Sequence, residues 1–272
     1  MSVLQITVLG SGSSGGVPRA DGDWGACDPT EPRNRRRRCS MLLRYWQAEQ
    51  GTNAEATTVL IDTSPDLREQ LIASGASRLD GVLYTHAHAD QAHGIDDLRA
   101  IAYRMRQRIR VWMDAPTQEA MVPRFRYCFE GAGGYPPIVH LQPELRAFEA
   151  VRVDGPGGVL EALPLPQDHG GGVASLGFRI GRFGYSNDVV RLPEETLGAL
   201  GGLDLWVADA LRDSPHPTHS HVDQTLGWAE RLKPQRTVLT NLHVDLDYRA
   251  LAERLPQGVE PAYDGQVLVV RD

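Results

Sequence analysis

Apolar residues recur along the chain with two periods, and the change from one period to the other marks where strands give way to helices. Runs of β type, alternating or continuous, occupy residues 3–9, 40–46, 57–62 and 80–85, three of them closing on Gly10, Asp62 and Thr85. Between the last two, Ser64 to Ala73 predicts a helix: Ser64 can cap it, Pro65 suits its first position, and Leu67, Leu71 and Ile72 form an apolar stripe. A second helix is expected after Asp90, continuing through the Leu-, Ala- and Arg-rich stretch Asp96 to Met105. A strand at 109–113 and a helix near 116–126 follow, and short apolar runs separated by Gly and Pro fill 138–187 as a second set of strands. The last third alternates: strand 203–209, helix 222–232, strand 236–240, helix 247–254, strand 266–270. Two β-rich halves, each with helices, predict an α/β layered sandwich in which helices cover two central sheets. No linker-like stretch and no solenoid repeat interrupts it, so residues 1–272 are read as a single domain.

Composition and charge sharpen this picture. Hydrophobic residues make up 41% of the chain and charged ones 23%, enough to fill a core without staples. The three cysteines, Cys27, Cys39 and Cys128, are odd in number and widely spaced, as for reduced thiols. With no basic leader and no apolar run near the ~20 residues that cross a bilayer, a cytoplasmic chain without a membrane partner is expected. A net charge of −7 disfavours nucleic acid as a partner, since polyanions are held through many cationic contacts. The local exception is Arg33, Arg35, Arg36, Arg37 and Arg38 around Asn34, which either attracts a small phosphorylated ligand or is a solvated basic loop. A homodimer is compatible with the sequence but not encoded in any pattern within it.

The densest chemistry is Thr85-His86-Ala87-His88-Ala89-Asp90-Gln91-Ala92-His93-Gly94, directly after a strand. If strand geometry persists for two residues, His86 and His88 project to the same side and converge on one ion. Asp90 falls at the mouth of the next helix, where its carboxylate suits the positive end of the dipole and can reach a second ion or act on water. Three of the nine histidines lie within eight positions at a strand-to-helix junction, which argues against ordinary surface histidines.

This segment resembles the metallo-β-lactamase superfamily, whose hallmark is His-x-His-x-Asp-His after a strand. The resemblance implies the αββα four-layer fold, and it extends to Gln167-Asp168-His169-Gly170 and Tyr185-Ser186-Asn187-Asp188. It implies that His169 completes a metal site with His86 and His88, that Asp188 bridges two metals, and that Asp62 orients a ligand or the loop bearing it. Four segments, Gly10 to Pro18, Asn34 to Ser40, Gly94 to Arg99 and Pro215 to Ser220, are similar to phosphodiesterases acting on phosphoribosyl 1,2-cyclic phosphate. Within them Ser13, Ser14, Asn34 and Arg36 are the expected substrate contacts and His219 matches the general-acid position, with His216 and His221 as lesser neighbours.

The chain departs from the family pattern at three places. Gln91 stands where relatives have a second-site histidine, and a neutral amide is a poor ligand for a transition metal; His93 is a substitute or a helix-face residue. Asn241 follows Leu239-Thr240 where relatives have a histidine, which leaves His243, two positions on, as the candidate last ligand. Cys27 and the distant Cys39 do not make the cysteine cluster of relatives with a structural zinc.

The function expected is metal-dependent hydrolysis of a small, cyclic or nucleotide-like phosphodiester, with a metal-bound hydroxide attacking phosphorus. One or two ions of zinc or manganese are expected, because His and carboxylate ligands suit both. The alternatives are an RNA-processing nuclease or a thioester or lactam hydrolase of the same superfamily, and a non-catalytic nucleotide-binding protein with a degraded second site. A dinucleotide fingerprint at Gly10, Gly12 and Gly15 fails on context, because Gly16 and Pro18 follow at once and no helix can start there.

Overall fold

The computed structural model describes residues 1–48 and 56–271. Among these, strands β1 (Ser2–Gly10), β2 (Ser40–Gln47), β3 (Thr57–Ile61), β4 (Gly81–Leu83), β5 (Ile109–Trp112), β6 (Val139–Leu141) and β14 (Val267–Arg271) build one sheet in the order β14-β1-β2-β3-β4-β5-β6. Strands β7 (Val151–Gly155), β8 (Gly158–Asp168), β9 (Ala174–Ile180), β10 (Phe183–Ser186), β11 (Leu205–Asp209), β12 (Arg236–Thr240) and β13 (Val259–Pro261) build the other, in the order β13-β12-β11-β10-β9-β8-β7. Each sheet is antiparallel at one end and parallel at the other: β3, β4, β5 and β6 run parallel in the first, and β10, β11, β12 and β13 in the second. The C-terminal ends of those parallel strands gather the loops that carry polar residues.

Alternation along the central strands divides the core into layers. Met41, Leu43, Val59 and Ile61 face the second sheet, meeting Phe178, Tyr185, Val207 and Val238, while Leu42, Leu60 and Val82 face outward. Both faces are apolar because both are covered. Outside the first sheet lie helices α1 (Leu67–Ser74), α2 (Ala89–Ala92), α3 (Leu98–Met105), α4 (Ala115–Arg124) and α5 (Arg126–Glu130). Outside the second lie α6 (Glu194–Ala199), α7 (Val222–Leu232) and α8 (Tyr248–Arg254). The result is the αββα sandwich.

Three local differences from the sequence reading have physical reasons. The first helix begins at Leu67 rather than Ser64, whose hydroxyl donates to Gln70 Oε1 (2.9 Å) and accepts from the Asp66 amide (3.2 Å) in a turn before the helix. Its buried face is Leu67, Gln70 and Leu71, whereas Ile72, five positions on from Leu67 and so about 140° around the axis, is 62% exposed. The helix expected over 116–126 is divided into α4 and α5 at Phe125, two residues after Pro123. Helix α6 has no counterpart among the expected elements, although Pro193 followed by Glu194 and Glu195 is a helix-start pattern.

Candidate metal centre

Three imidazoles meet where the ends of β4 and β8 face each other. The ring centroids of His86 and His88 are 4.5 Å apart, and each lies 5.0 Å from that of His169. One ligand-capable nitrogen from each falls within 4.8 Å of the other two. The backbone at His88 is extended (φ −65°, ψ 153°), so the strand-like path expected beyond β4 holds and the two side chains share a side.

Hydrogen bonds fix which nitrogen each ring offers. Buried Asp62 accepts from the Thr85 amide and hydroxyl, both at 2.8 Å; when Asp62 is ionised the Thr85 hydroxyl proton points to it, and the Thr85 oxygen accepts from His86 Nδ1 at 3.0 Å. That chain leaves a bare lone pair on His86 Nε2, which is buried and without a hydrogen-bond partner. His169 Nδ1 donates to the Thr218 carbonyl (2.8 Å), which turns its Nε2 toward His88 Nδ1 at 3.2 Å. Burial, then the neighbouring His169 and His88 rings, holds His86 well below the ordinary histidine range; burial, then His219, also lowers His169. Neutral imidazoles with convergent lone pairs, one of them otherwise orphaned in the interior, fit a divalent ion. His88 is exposed, so this face of the cluster opens to solvent.

Asp188 and His219 extend the cluster on the other side, where His169, Asp188 and His219 form a second close group. Asp188 is 2% exposed and accepts from Gln91 Nε2 (2.7 Å), Asn187 Nδ2 (2.8 Å) and Asn241 Nδ2 (3.3 Å), with His219 Nδ1 at 3.4 Å. Burial, then the adjacent Asp90, raises its pKa well above the carboxylate range. His219 Nδ1 lies 3.0 Å from Asp209 Oδ2; burial opposes a charge on this ring, but Asp209, followed by Asp188 and Asp90, outweighs it and lifts the pKa to about 9. Burial likewise pushes Asp62 up to about 8 against the two Thr85 bonds that favour its anion.

The backbone is bent to reach this arrangement. Asp62, Asp188 and Asn241 have φ of 62°, 51° and 62°, left-handed values that side chains other than Gly adopt at a cost and Asp or Asn best. Each sits just beyond a strand end, where the reversal turns a carboxylate or amide back over the sheet edge. Gly170 (φ 77°) lets the His169 loop touch the His219 loop, since a Cβ there would lie 2.3 Å from the Pro217 carbonyl.

Several expected site residues are placed elsewhere. His93 is exposed and packs edge-on against Phe125 (5.4 Å), on the helix side away from the imidazoles, so it is a helix-face histidine and not a substitute ligand. His243 directs Nε2 at Arg19 (2.6 Å), with Nδ1 2.9 Å from Asp245, and belongs to neither close group of ligand-type residues; the chain turns at Asn241 instead of continuing as a strand, so residues 241 and 243 do not share a side. Asn34 and Arg36, expected at the substrate, are buried and bonded within the fold. Asn34 is fully buried, bonded to Asp247 Oδ2 (2.6 Å), the Asp28 carbonyl (3.1 Å) and the Tyr248 amide (2.8 Å). Arg36, 2% exposed, donates to the carbonyls of Leu246 (2.7 Å) and His243 (3.2 Å) and to Asn34 Oδ1 (3.2 Å). Ser13 is buried, its amide bonded to the Leu242 carbonyl (3.3 Å), and Ser14 is exposed. Asp90 is half-buried and held by Gln91 Nε2 at 3.2 Å. The residue that sequence reasoning missed is Asp209, which anchors His219; its signal was an acid closing the buried strand Leu205-Trp206-Val207-Ala208.

Comparison with known proteins agrees with the fold. A family model described as the beta-lactamase superfamily domain matches residues 57–241, and the chain belongs to the metallo-β-lactamase superfamily of metal-dependent hydrolases. Within it the chain falls in the PhnP-like branch: the crystal structure of a diphosphatase from the PhnP family superposes with a TM-score of 0.86 and 33% identity, over 99% of this chain and 98% of that one. Zn(2+)-bound PqqB from Methylobacterium extorquens shares the fold at a TM-score of 0.71 and 18% identity, covering 97% of this chain and 99% of its own. An octanoyltransferase from Porphyromonas gingivalis is 30% identical over 98% of this chain, which spans 52% of that longer protein.

Proposed function

We propose that the chain is a phosphodiesterase that cleaves a small phosphodiester or diphosphate ester, of cyclic or nucleotide-like structure, at a divalent zinc or manganese ion held by His86, His88 and His169, with Asp188 alongside. The observation that carries this is the buried, unpartnered His86 Nε2 facing two further imidazoles. A bound ion there supplies Lewis-acid polarisation of a phosphoryl oxygen and makes water a nucleophile near neutral pH.

The remaining work falls to the chain itself. Asp209 holds the His219 ring by Nδ1, so Nε2 lies on the opposite edge of the ring, able to pass a proton to a departing alkoxide. Asp62 and Thr85 keep His86 in the Nε2-available tautomer, and the Thr218 carbonyl does the same for His169. Asp90, at the solvent-facing start of α2, is the carboxylate best placed to orient water. We read the whole chain as one hydrolase domain, since both sheets contribute to a single central core. The similarity to a diphosphatase over nearly its full length supports extending the substrate class to pyrophosphate esters. RNA processing is disfavoured by the net charge of −7 and by arginines already engaged within the fold.

The test is hydrolysis of a panel of cyclic and linear phosphodiesters and dinucleotide diphosphates before and after chelation, with His219→Ala assayed in parallel. The variant is expected to retain metal and to lose about 10²-fold or more in kcat on alkyl esters, but far less on bis(p-nitrophenyl) phosphate, whose leaving group needs no proton. Equal losses on both would remove His219 from proton transfer, and undiminished hydrolysis in the metal-free protein would remove the ion from the reaction.

A further inference from the structure

The two close groups of ligand-type residues differ in what their polar atoms still need. Around His86, His88 and His169 a buried lone pair is unsatisfied and two nitrogens face each other at 3.2 Å. Around Asp188 the carboxylate oxygens themselves are satisfied: Oδ2 takes Gln91 Nε2 at 2.7 Å and Asn187 Nδ2 at 2.8 Å, and Oδ1 takes Asn241 Nδ2 at 3.3 Å, while the Gln91 and Asn187 carbonyl oxygens are left buried without a partner. The same two amides reach the neighbouring carboxylates, Gln91 Nε2 to Asp90 Oδ2 (3.2 Å) and Asn241 Nδ2 to Asp209 Oδ1 (3.0 Å). Gln91 and Asn241 thus tie three carboxylates together by N–H groups, in the space where a second cation would have to touch those oxygens. Against ionised carboxylates each amide presents its N–H side, and Asn241 Nδ2 also lies 3.0 Å from His219 Nδ1.

The histidine supply leads to the same conclusion. Both close groups use His169, and its Nδ1 is already bonded to the Thr218 carbonyl, so it has one lone pair to give. An ion at the three-imidazole group takes that lone pair and leaves the second close group only Asp188 and His219, whose Nδ1 faces Asp209 at 3.0 Å; the carboxylates beside it, Asp90 and Asp209, are held by the Gln91 and Asn241 N–H groups. Two ligands with amide N–H groups pointed at the same oxygens do not make a site for a transition metal.

We propose that each chain holds a single ion, at His86, His88 and His169, and that the Gln91 and Asn241 amides stand in for a second ion by hydrogen-bonding the carboxylates it would otherwise bridge. This rests on the metal reading given above. It makes the Asp90–Asp188–Asp209 side a fixed, hydrogen-bonded wall for the substrate and leaves transition-state charge to one ion and His219.

The test is metal stoichiometry. Protein stripped by chelator is saturated with zinc or, separately, with manganese, desalted, and analysed by elemental analysis and native mass spectrometry. One equivalent of either metal is expected. Two tightly held equivalents would overturn the inference while leaving the metal reading intact, and none with either metal would sink that reading and this inference with it. The variant Gln91→His/Asn241→His is expected to rise from one equivalent to two. If it unfolds with wild-type cooperativity yet stays at one, the amides are not what excludes the second ion.

Discussion

Two short segments of this chain are crowded with side chains that look functional, and the fold treats them in opposite ways. In residues 86–90 the polar groups converge, with His86 and His88 meeting His169 at centroid distances of 4.5 to 5.0 Å and one nitrogen left without a partner. In residues 33–38 they disperse. Arg33 lies over the rings of Tyr248 (4.9 Å) and Tyr263 (5.3 Å), and Arg35 over Trp24 (5.5 Å). Arg36 is sunk into the 243–246 loop, Arg37 lies 3.6 Å from Asp264, and Arg38 lies 2.8 Å from Asp66. Arg33, Arg36 and Arg37 join the first loop to the last third of the chain, Arg35 stacks within the first loop, and Arg38 reaches the turn before α1, so the run acts mainly as struts, with Arg33 and Arg35 still exposed. The contrast teaches that convergence of lone pairs on a shared space, not the density of charged or ligand-type residues, marks a site. Three imidazoles each bring a nitrogen within 4.8 Å of the other two, whereas each guanidinium of the run ends on its own carbonyl, carboxylate or ring, with Arg36 Nε left over in the interior.

The comparison can be broken most decisively at the converging segment. His86→Ala or His169→Ala should abolish metal retention and lower hydrolysis by on the order of 10³-fold, equivalent to about 4 kcal/mol of transition-state stabilisation, with the metal-free fold preserved by circular dichroism. Metal bound at wild-type affinity in either variant would refute convergence. At the dispersing segment, Arg36→Met should cost about 3 kcal/mol of stability in urea denaturation, because the carbonyls of His243 and Leu246 lose their donor in the interior. Its metal content should stay at the wild-type value, and a specific loss of substrate binding without loss of stability would restore Arg36 as a ligand contact.

Smaller effects sharpen the boundary between the two kinds of segment. Thr85→Val breaks the link from Asp62 to His86 Nδ1 and should weaken zinc binding about 10- to 100-fold, read by competition with a chromogenic chelator; unchanged affinity would mean the tautomer is set by something else. Arg33→Gln should cost no more than about 1 kcal/mol through loss of the stacking on Tyr248 and Tyr263, with KM unaltered. A large rise in KM in that variant would bring the basic run back into substrate recognition.

How much of this was legible in the sequence follows from the range of the forces involved. Periodicity and strand ends are local, so the layered fold and the positions of His86, His88, His169 and Asp188 could be read from spacing and family pattern. The fates of Arg36 and Asn34 could not, because their partners, Leu246 and Asp247, lie more than 200 positions away in the chain, at separations of 210 and 213. His243 departs from the expected position for a different reason: a strand path extrapolated past Thr240 fails where Asn241 takes a left-handed φ of 62°. Asp209 was visible as an acid at the end of a buried strand, but its link to His219 exists only once the 210–220 loop has folded back.

The central claim is that the imidazoles at 86, 88 and 169 enclose one cation. Anomalous scattering at the zinc edge, from crystals of zinc-loaded protein, tests it most directly. The account predicts a single strong peak about 2.0–2.1 Å from a nitrogen of each ring. A peak elsewhere, or none in protein carrying stoichiometric zinc, would contradict it.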